Sequence, residues 1–185
     1  LSEELIKMYD VKILPLHVML GEDEYEDGVN ITPDEIYRWS DANKATPKTS
    51  ALSITDAMEM MHECGDDGSE MVCFSISEQM STSGNVLRMA AAELGMEDRV
   101  IVINSASLST GVGLQVIEAA IMAQQGKTAK EIAVYIEEIK PYVRASFVVD
   151  TLTYLHRGGR CSGLAALAGG ALKLHPRIDV VDGKM

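Results

Sequence analysis

Between Glu70 and Val149 the chain alternates apolar runs of four to six residues with stretches of ten or more that carry helical character. Strands are expected over Glu70 to Ile76, Arg99 to Ile103 and Val143 to Val149. Helices are expected over Ser83 to Leu94, Leu108 to Gln125 and Thr128 to Ile139. A strand that is apolar at every position must be buried on both faces, which a parallel sheet covered by helices achieves. The pattern therefore predicts an α/β fold, a three-layer sandwich around a mainly parallel sheet. Right-handed crossovers would bring the strand-to-helix loops, 77–82 and 104–109, to the carboxyl edge of that sheet.

The flanking segments have a different texture. Val11 to Leu20 is β-rich and runs into the acidic turn Gly21-Glu22-Asp23-Glu24 before Tyr25, a pattern for a strand and a small hairpin. Thr32-Pro33-Asp34-Glu35 opens a helix over Asp34 to Ala42, with Thr as cap, Pro in the first turn and acids against the dipole. A loop at Pro47-Lys48-Thr49-Ser50 leads to a helix over Ile54 to Glu63. Beyond Asp150, Leu155-His156-Arg157-Gly158-Gly159-Arg160 is a basic glycine turn, followed by a small-residue helix from about Ser162 to Leu174 and a strand over Arg177 to Val181. Asp182-Gly183 then marks a hairpin turn whose return strand is absent. The expected organisation is an N-terminal α/β domain over 1–142, with a hairpin insertion near 16–32, and the start of a second, incomplete α/β domain over 143–185.

Charge and composition narrow the function classes. With 28 acidic against 16 basic residues the net charge is −12. That opposes a polyanionic nucleic-acid partner, whose binding depends on Lys and Arg releasing counterions. The apolar runs are far shorter than the roughly 20 residues a membrane span needs, so any membrane contact is expected to be transient. Leu1-Ser2-Glu3-Glu4-Leu5 reads as an acidic helix start rather than a secretory signal, which points to the cytoplasm. Cys64, Cys73 and Cys161 form no Cys-x-x-Cys pair, and His17, His62, His156 and His175 lie far apart, so no metal centre is expected.

Hydroxyl-rich loops carry the functional signal. Ile76 to Asn85 places Ser77, Ser81, Thr82 and Ser83 between a buried strand and a helix, where hydroxyls and free helix amides suit an anion. A capping role accounts for one of Ser81, Thr82 or Ser83. Pro47 to Ser53 holds a second cluster, with Ser50 or Ser53 available as a cap. Asn104 to Gly113 is a third, containing Ser105 and two glycines but neither the lysine of a phosphate loop nor a dinucleotide spacing. There is no Gly-x-Ser-x-Gly elbow, and serines without a placed base suit hydrogen bonding better than attack.

In order, Tyr25 to Pro33, Pro47-Lys48-Thr49-Ser50, Ile76-Ser77 through Ser81, Val102-Ile103-Asn104-Ser105 with Gly111-Val112-Gly113, and Phe147 to Leu152 through Arg157-Gly158-Gly159-Arg160 resemble the DegV family. The resemblance implies a carrier that binds a long-chain fatty acid and needs no cofactor. It further implies that the carboxylate is presented to a separate fatty-acid kinase for acyl-phosphate formation, the chain itself not being an enzyme. Carried over by position, Thr49 and Ser81 would bind the carboxylate with Arg160 nearby, and Ser50, Ser77 and Ser105 would support the loops. The acyl tail would enter a tunnel beginning with Leu164, Leu167, Leu172 and Leu174. Two departures stand out: the family's Ser-Gly-Thr-Tyr stands here as Ser81-Thr82-Ser83-Gly84, which bears on loop shape and headgroup fit, and Asn104 replaces a usual Asp. The competing readings are an enzyme acting on a small acidic or phosphorylated substrate through the strand-end loops, and an interaction module whose acidic face recruits a basic partner.

Overall fold

A computed structural model describes residues 1–185 except Ala51, 158–161 and 163–174. In chain order the elements are α1 (Glu3–Met8), β1 (His17–Leu20), β2 (Asp23–Glu26), α2 (Pro33–Asn43), β3 (Lys48–Ser50), α3 (Ile54–Gly65), β4 (Met71–Ser75), α4 (Ser83–Glu93), β5 (Val100–Asn104), α5 (Thr110–Gln124), α6 (Ala129–Ile139), a 3₁₀ turn (Lys140–Tyr142), β6 (Ala145–Val148), α7 (Thr153–Arg157) and β7 (Arg177–Val180). The chain divides into two compact units. One comprises Leu1–Leu14, Leu52–Ala145 and Val180–Lys184; the other comprises Pro15–Ala51, Ser146–Asp179 and Met185. The small-residue helix expected near Ser162 to Leu174 falls almost wholly outside the described residues.

The first unit is built on β4 and β5, which pair in parallel from Met71↔Val100 to Ser75↔Asn104. Side chains alternate across a strand, so each strand serves two cores. Met71, Cys73, Val100 and Val102 pack into a cluster with Ala57 and Met61 of α3 and Leu87, Ala90 and Ala91 of α4. Val72, Phe74, Ile101 and Ile103 pack instead with Ala119 of α5 and Ile132 and Ile136 of α6. Helices thus cover both faces, and the three-layer α/β arrangement follows from the continuous apolar runs.

The helix boundaries have local causes. Ser53 opens α3 and Thr128 opens α6, each through a reciprocal capping box with Asp56 and Glu131 respectively. Of the two serines open as caps for α3, Ser53 takes the role. The Thr128 amide and hydroxyl, with the Lys127 ammonium, hold the Glu131 carboxyl down near 2, well below its usual range. At α4 the expectation of a capping hydroxyl fails in its usual form. Thr82 occupies the N-cap position without a side-chain bond, and Ser81 Oγ instead accepts from the Ser83 amide at 3.2 Å.

In the second unit β1 pairs antiparallel with β2 and with β3. Val18 and Leu20 face a core with Ile31, Tyr25, Ile36 and Trp39. Gly21 turns the hairpin at φ +73, a conformation glycine adopts without steric cost. Helix α2 carries Thr32 as cap, Glu35 as its reciprocal partner and Pro33 in its first turn. Three local expectations are corrected. The first strand begins at His17 rather than Val11; Lys48–Ser50 is a strand paired to the open edge of β1 rather than a loop; and Leu155, His156 and Arg157 are helical rather than part of a turn. Strands β6 and β7 form a two-stranded sheet.

Candidate functional site

Because β4 and β5 run parallel and in register at Ser75↔Asn104, the loops that follow them leave from one edge of the sheet. The backbone ties them together. The Ser105 amide donates to the Ser75 carbonyl at 3.2 Å and the Ser77 amide to the Ser107 carbonyl at 2.8 Å. Asn104 adds a clamp, its Oδ1 accepting from the Glu78 amide at 3.2 Å and the Ala106 amide at 3.0 Å. Both bonds require only an acceptor, so asparagine serves where the resemblance expects aspartate, at the cost of a negative charge.

Within this cluster the serines have distinct surroundings. Ser77 is fully buried; its hydroxyl donates to the Gly183 carbonyl at 2.7 Å, and its own carbonyl accepts from the Met80 and Ser81 amides. Ser105 is buried too, its hydroxyl donating to the Ser107 carbonyl at 3.3 Å while accepting from the Ser107 amide at 3.2 Å. Ser81 is half-buried, and its hydroxyl lies 2.8 Å from that of Ser83. When Ser83 donates in that pair, the Ser81 hydrogen is left for an incoming acceptor and is polarised by the chain behind it. Among the described residues the partner of Ser81 Oγ is thus another hydroxyl and the Ser83 amide, an arrangement for hydrogen bonding rather than for an activated nucleophile.

The other predicted site residues lie elsewhere. Thr49 and Ser50 are exposed on β3 of the second unit, paired with Val18 and His17. Arg160 lies outside the described residues, as do Leu164, Leu167, Leu172 and Leu174. The first unit therefore brings together Ser77, Ser81 and Ser105, and the second carries Thr49 and Ser50.

Three residues around the loops escaped the sequence reading. Gln115 of α5 is fully buried, its amide donating to the carbonyls of Ser105 at 3.0 Å and Gly111 at 3.3 Å. The available signal was its spacing, four residues after Gly111 and four before Ala119, on the small-residue face of α5. Lys140 donates to the Asn104 carbonyl at 3.0 Å and pairs with Glu137. Gly183, a turn residue in the sequence, accepts the Ser77 hydroxyl through its carbonyl. Ser75 Oγ, Ser107 Oγ and Gln115 Oε1 are buried without a hydrogen-bond partner among the described residues. The two serine hydroxyls lie against glycines, since a Cβ at Gly84 would stand 2.8 Å from Ser75 Oγ and one at Gly111 only 2.1 Å from Ser107 Oγ.

Among the described residues no group of three or more His, Cys, Asp or Glu side chains could hold a metal ion, and no helix is long and apolar enough to cross a membrane. Burial, with a smaller contribution from Cys64, pushes the Cys73 thiol up to about 11. At pH 8 the Cys73 thiolate, the reactive form, is then a small minority. Iodoacetamide at that pH is expected to leave Cys73 unmodified in the folded protein and to label it after denaturation. Peptide mapping checks this, and rapid native labelling would contradict it.

Comparison with known proteins gives these loops a context. A family model described as uncharacterised protein, DegV family, matches residues 1–185. A DegV domain-containing protein of Deinococcus radiodurans is 31% identical over 185 residues, covering 100% of this chain and 65% of its own length. A solved structure from Eubacterium ventriosum, described as a fatty-acid (stearic acid)-binding protein, is 33% identical with a TM-score of 0.87, covering 100% of this chain and 64% of the other. Another, described as fatty acid binding of a DegV family protein from Thermus thermophilus, is 29% identical with a TM-score of 0.86, covering 100% and 65%. The chain spans about 65% of the length of the curated relative and of these two structures. A match running from the first residue to the last, over an α/β sheet whose paired loops carry the serines of the resemblance, means that the chain belongs to the DegV family.

Proposed function

We propose that this protein binds a long-chain fatty acid and holds its carboxylate with the Ser77–Ser83 loop. The observation that carries the reading is the likeness, over the whole of this chain, to two solved structures whose descriptions name fatty-acid binding. The local chemistry supports it: Ser81 places a half-buried hydroxyl, paired with that of Ser83, beside the start of α4, where amides and the helix dipole favour an anion. Thr49 and Arg160 are the further headgroup residues of the proposal, and the segment from 143 onward is the start of the domain that shelters the acyl tail.

Magnitudes divide the work between tail and headgroup. Roughly 14 buried methylenes at about 0.8 kcal/mol each contribute about 11 kcal/mol before the cost of association. A hydrogen bond to a charged group contributes about 1.5–3 kcal/mol. The tail then sets affinity and the headgroup residues set orientation, leaving the carboxylate open to phosphoryl transfer by a separate fatty-acid kinase. In this reading the protein is a carrier and not itself the catalyst.

Mass spectrometry of lipid extracted from the purified full-length protein is expected to find a long-chain fatty acid. Thr49→Ala with Ser81→Ala is expected to weaken fatty-acid binding about tenfold, measured by displacement of a fluorescent acyl probe. Absence of any bound acyl chain, with no binding of added fatty acid, would overturn the carrier reading; unchanged affinity in the double variant would overturn the headgroup assignment.

A further inference from the structure

The loop that carries Ser81 is anchored at its root by a turn more than one hundred positions further along the chain. Val181 and Lys184 bridge as a two-residue hairpin, their amides and carbonyls exchanging bonds of 2.9 and 3.0 Å. Asp182 and Gly183 between them have φ +49 and +76, the mark of a type I′ turn. The turn belongs to the same compact unit as the serine loops. Gly183 alone is buried within it, and its carbonyl accepts the Ser77 hydroxyl at 2.7 Å. The fit leaves no room, since a Cβ at Gly183 would stand 2.5 Å from Ser77 Oγ and 3.5 Å from Gln79 Cγ.

We propose that this turn is a latch for the headgroup loop, with Ser77 and Gly183 as positioning residues that set the place of the Ser81 hydroxyl. The path is short. Ser77 Oγ gives its proton to Gly183 and accepts the Gln79 amide at 3.2 Å, while the Ser77 carbonyl receives the Met80 and Ser81 amides at 2.9 and 3.1 Å. The Ser77 hydroxyl therefore commits its single proton to the latch while its oxygen accepts from the loop. Ser77 acts through Ser81, so it has no need to touch the ligand. Without the latch the loop root loses a buried bond and the turn is left with the Gly183 carbonyl lacking its donor, so Ser81 samples positions that no longer suit a carboxylate.

The inference rests on the fatty-acid reading, and the test separates the two. Binding of stearate and of methyl stearate, which keeps the tail but not the charge, is measured on the full-length wild type, Ser77→Ala and Gly183→Ala. Ser77→Ala removes the donor without adding bulk, and Gly183→Ala displaces the turn. Both variants are expected to bind stearate about tenfold more weakly and methyl stearate within about twofold of wild type. Stearate affinity unchanged in both variants would overturn the latch, and equal loss for both ligands would show a general loss of fold instead of positioning. Failure of the wild type to bind either ligand overturns the fatty-acid reading itself, and the latch with it. Hydrogen exchange supplies a second readout: stearate should slow exchange of the Ser81 and Lys184 amides in the wild type, and no change at Lys184 would also count against the latch.

Discussion

Replacing Ile136 by alanine is expected to cost about 2–5 kcal/mol and to lower the melting temperature by roughly 5–15 °C. Ile136 is 0% exposed at the centre of the core formed with Ile103, Ala119 and Ile132, against Phe74 and Ile101 of the sheet. Helix α6 is pinned at its start by the Thr128–Glu131 capping box, so its backbone is not free to collapse into the space left by three missing carbons. Val134 lies on the opposite face at 61% exposure, and Val134→Ala should stay within about 0.5 kcal/mol of wild type. Thermal and urea denaturation of the two variants check the contrast. Equal losses would mean that α6 is not packed through Ile132 and Ile136.

Gly111→Ala is the second large expectation, at about 2–3 kcal/mol of destabilisation. The new Cβ would stand 2.1 Å from Ser107 Oγ and 3.1 Å from both Ser107 Cβ and Ala145 Cβ. Ser107 is buried and its backbone carbonyl holds the Ser77 amide, so relief by moving the loop would disturb the serine cluster. Removing the hydroxyl should relieve most of the clash. Gly111→Ala with Ser107→Ala is therefore expected to be more stable than Gly111→Ala alone by about 1 kcal/mol, a coupling expected of residues in contact. Additive effects would place the clash elsewhere.

Much of the first unit was legible because its instructions are local. The runs around Met71–Ser75 and Val100–Asn104 are apolar at successive positions, and a strand so built can be satisfied only between two helical layers. Thr32, Ser53 and Thr128 each stand three residues before an acid, and all three form capping boxes. The serine loops were legible as loops for the same reason, since each follows such a strand. The roles of individual hydroxyls were not legible. Ser77, Ser81 and Ser105 look alike in a sequence, and burial and partners alone distinguish the hydroxyl donating to Gly183 from the one beside Ser83.

Sequence alone determined the alternation of strand and helix, the capped starts of α2, α3 and α6 and the family, because these depend on side chains within a few positions of one another or on collinear words. Tertiary structure decided the rest. Lys48-Thr49-Ser50 has no apolar pattern and becomes a strand because the open edge of β1 supplies partners for its backbone. Gln115 is polar on a small-residue face and tolerates full burial because the carbonyls of Ser105 in the loop and Gly111 in the first turn of α5 take its amide hydrogens. Gly183 meets Ser77 across 106 positions. Hydrogen bonds of that reach form only after packing has brought the groups together, so no local periodicity encodes them.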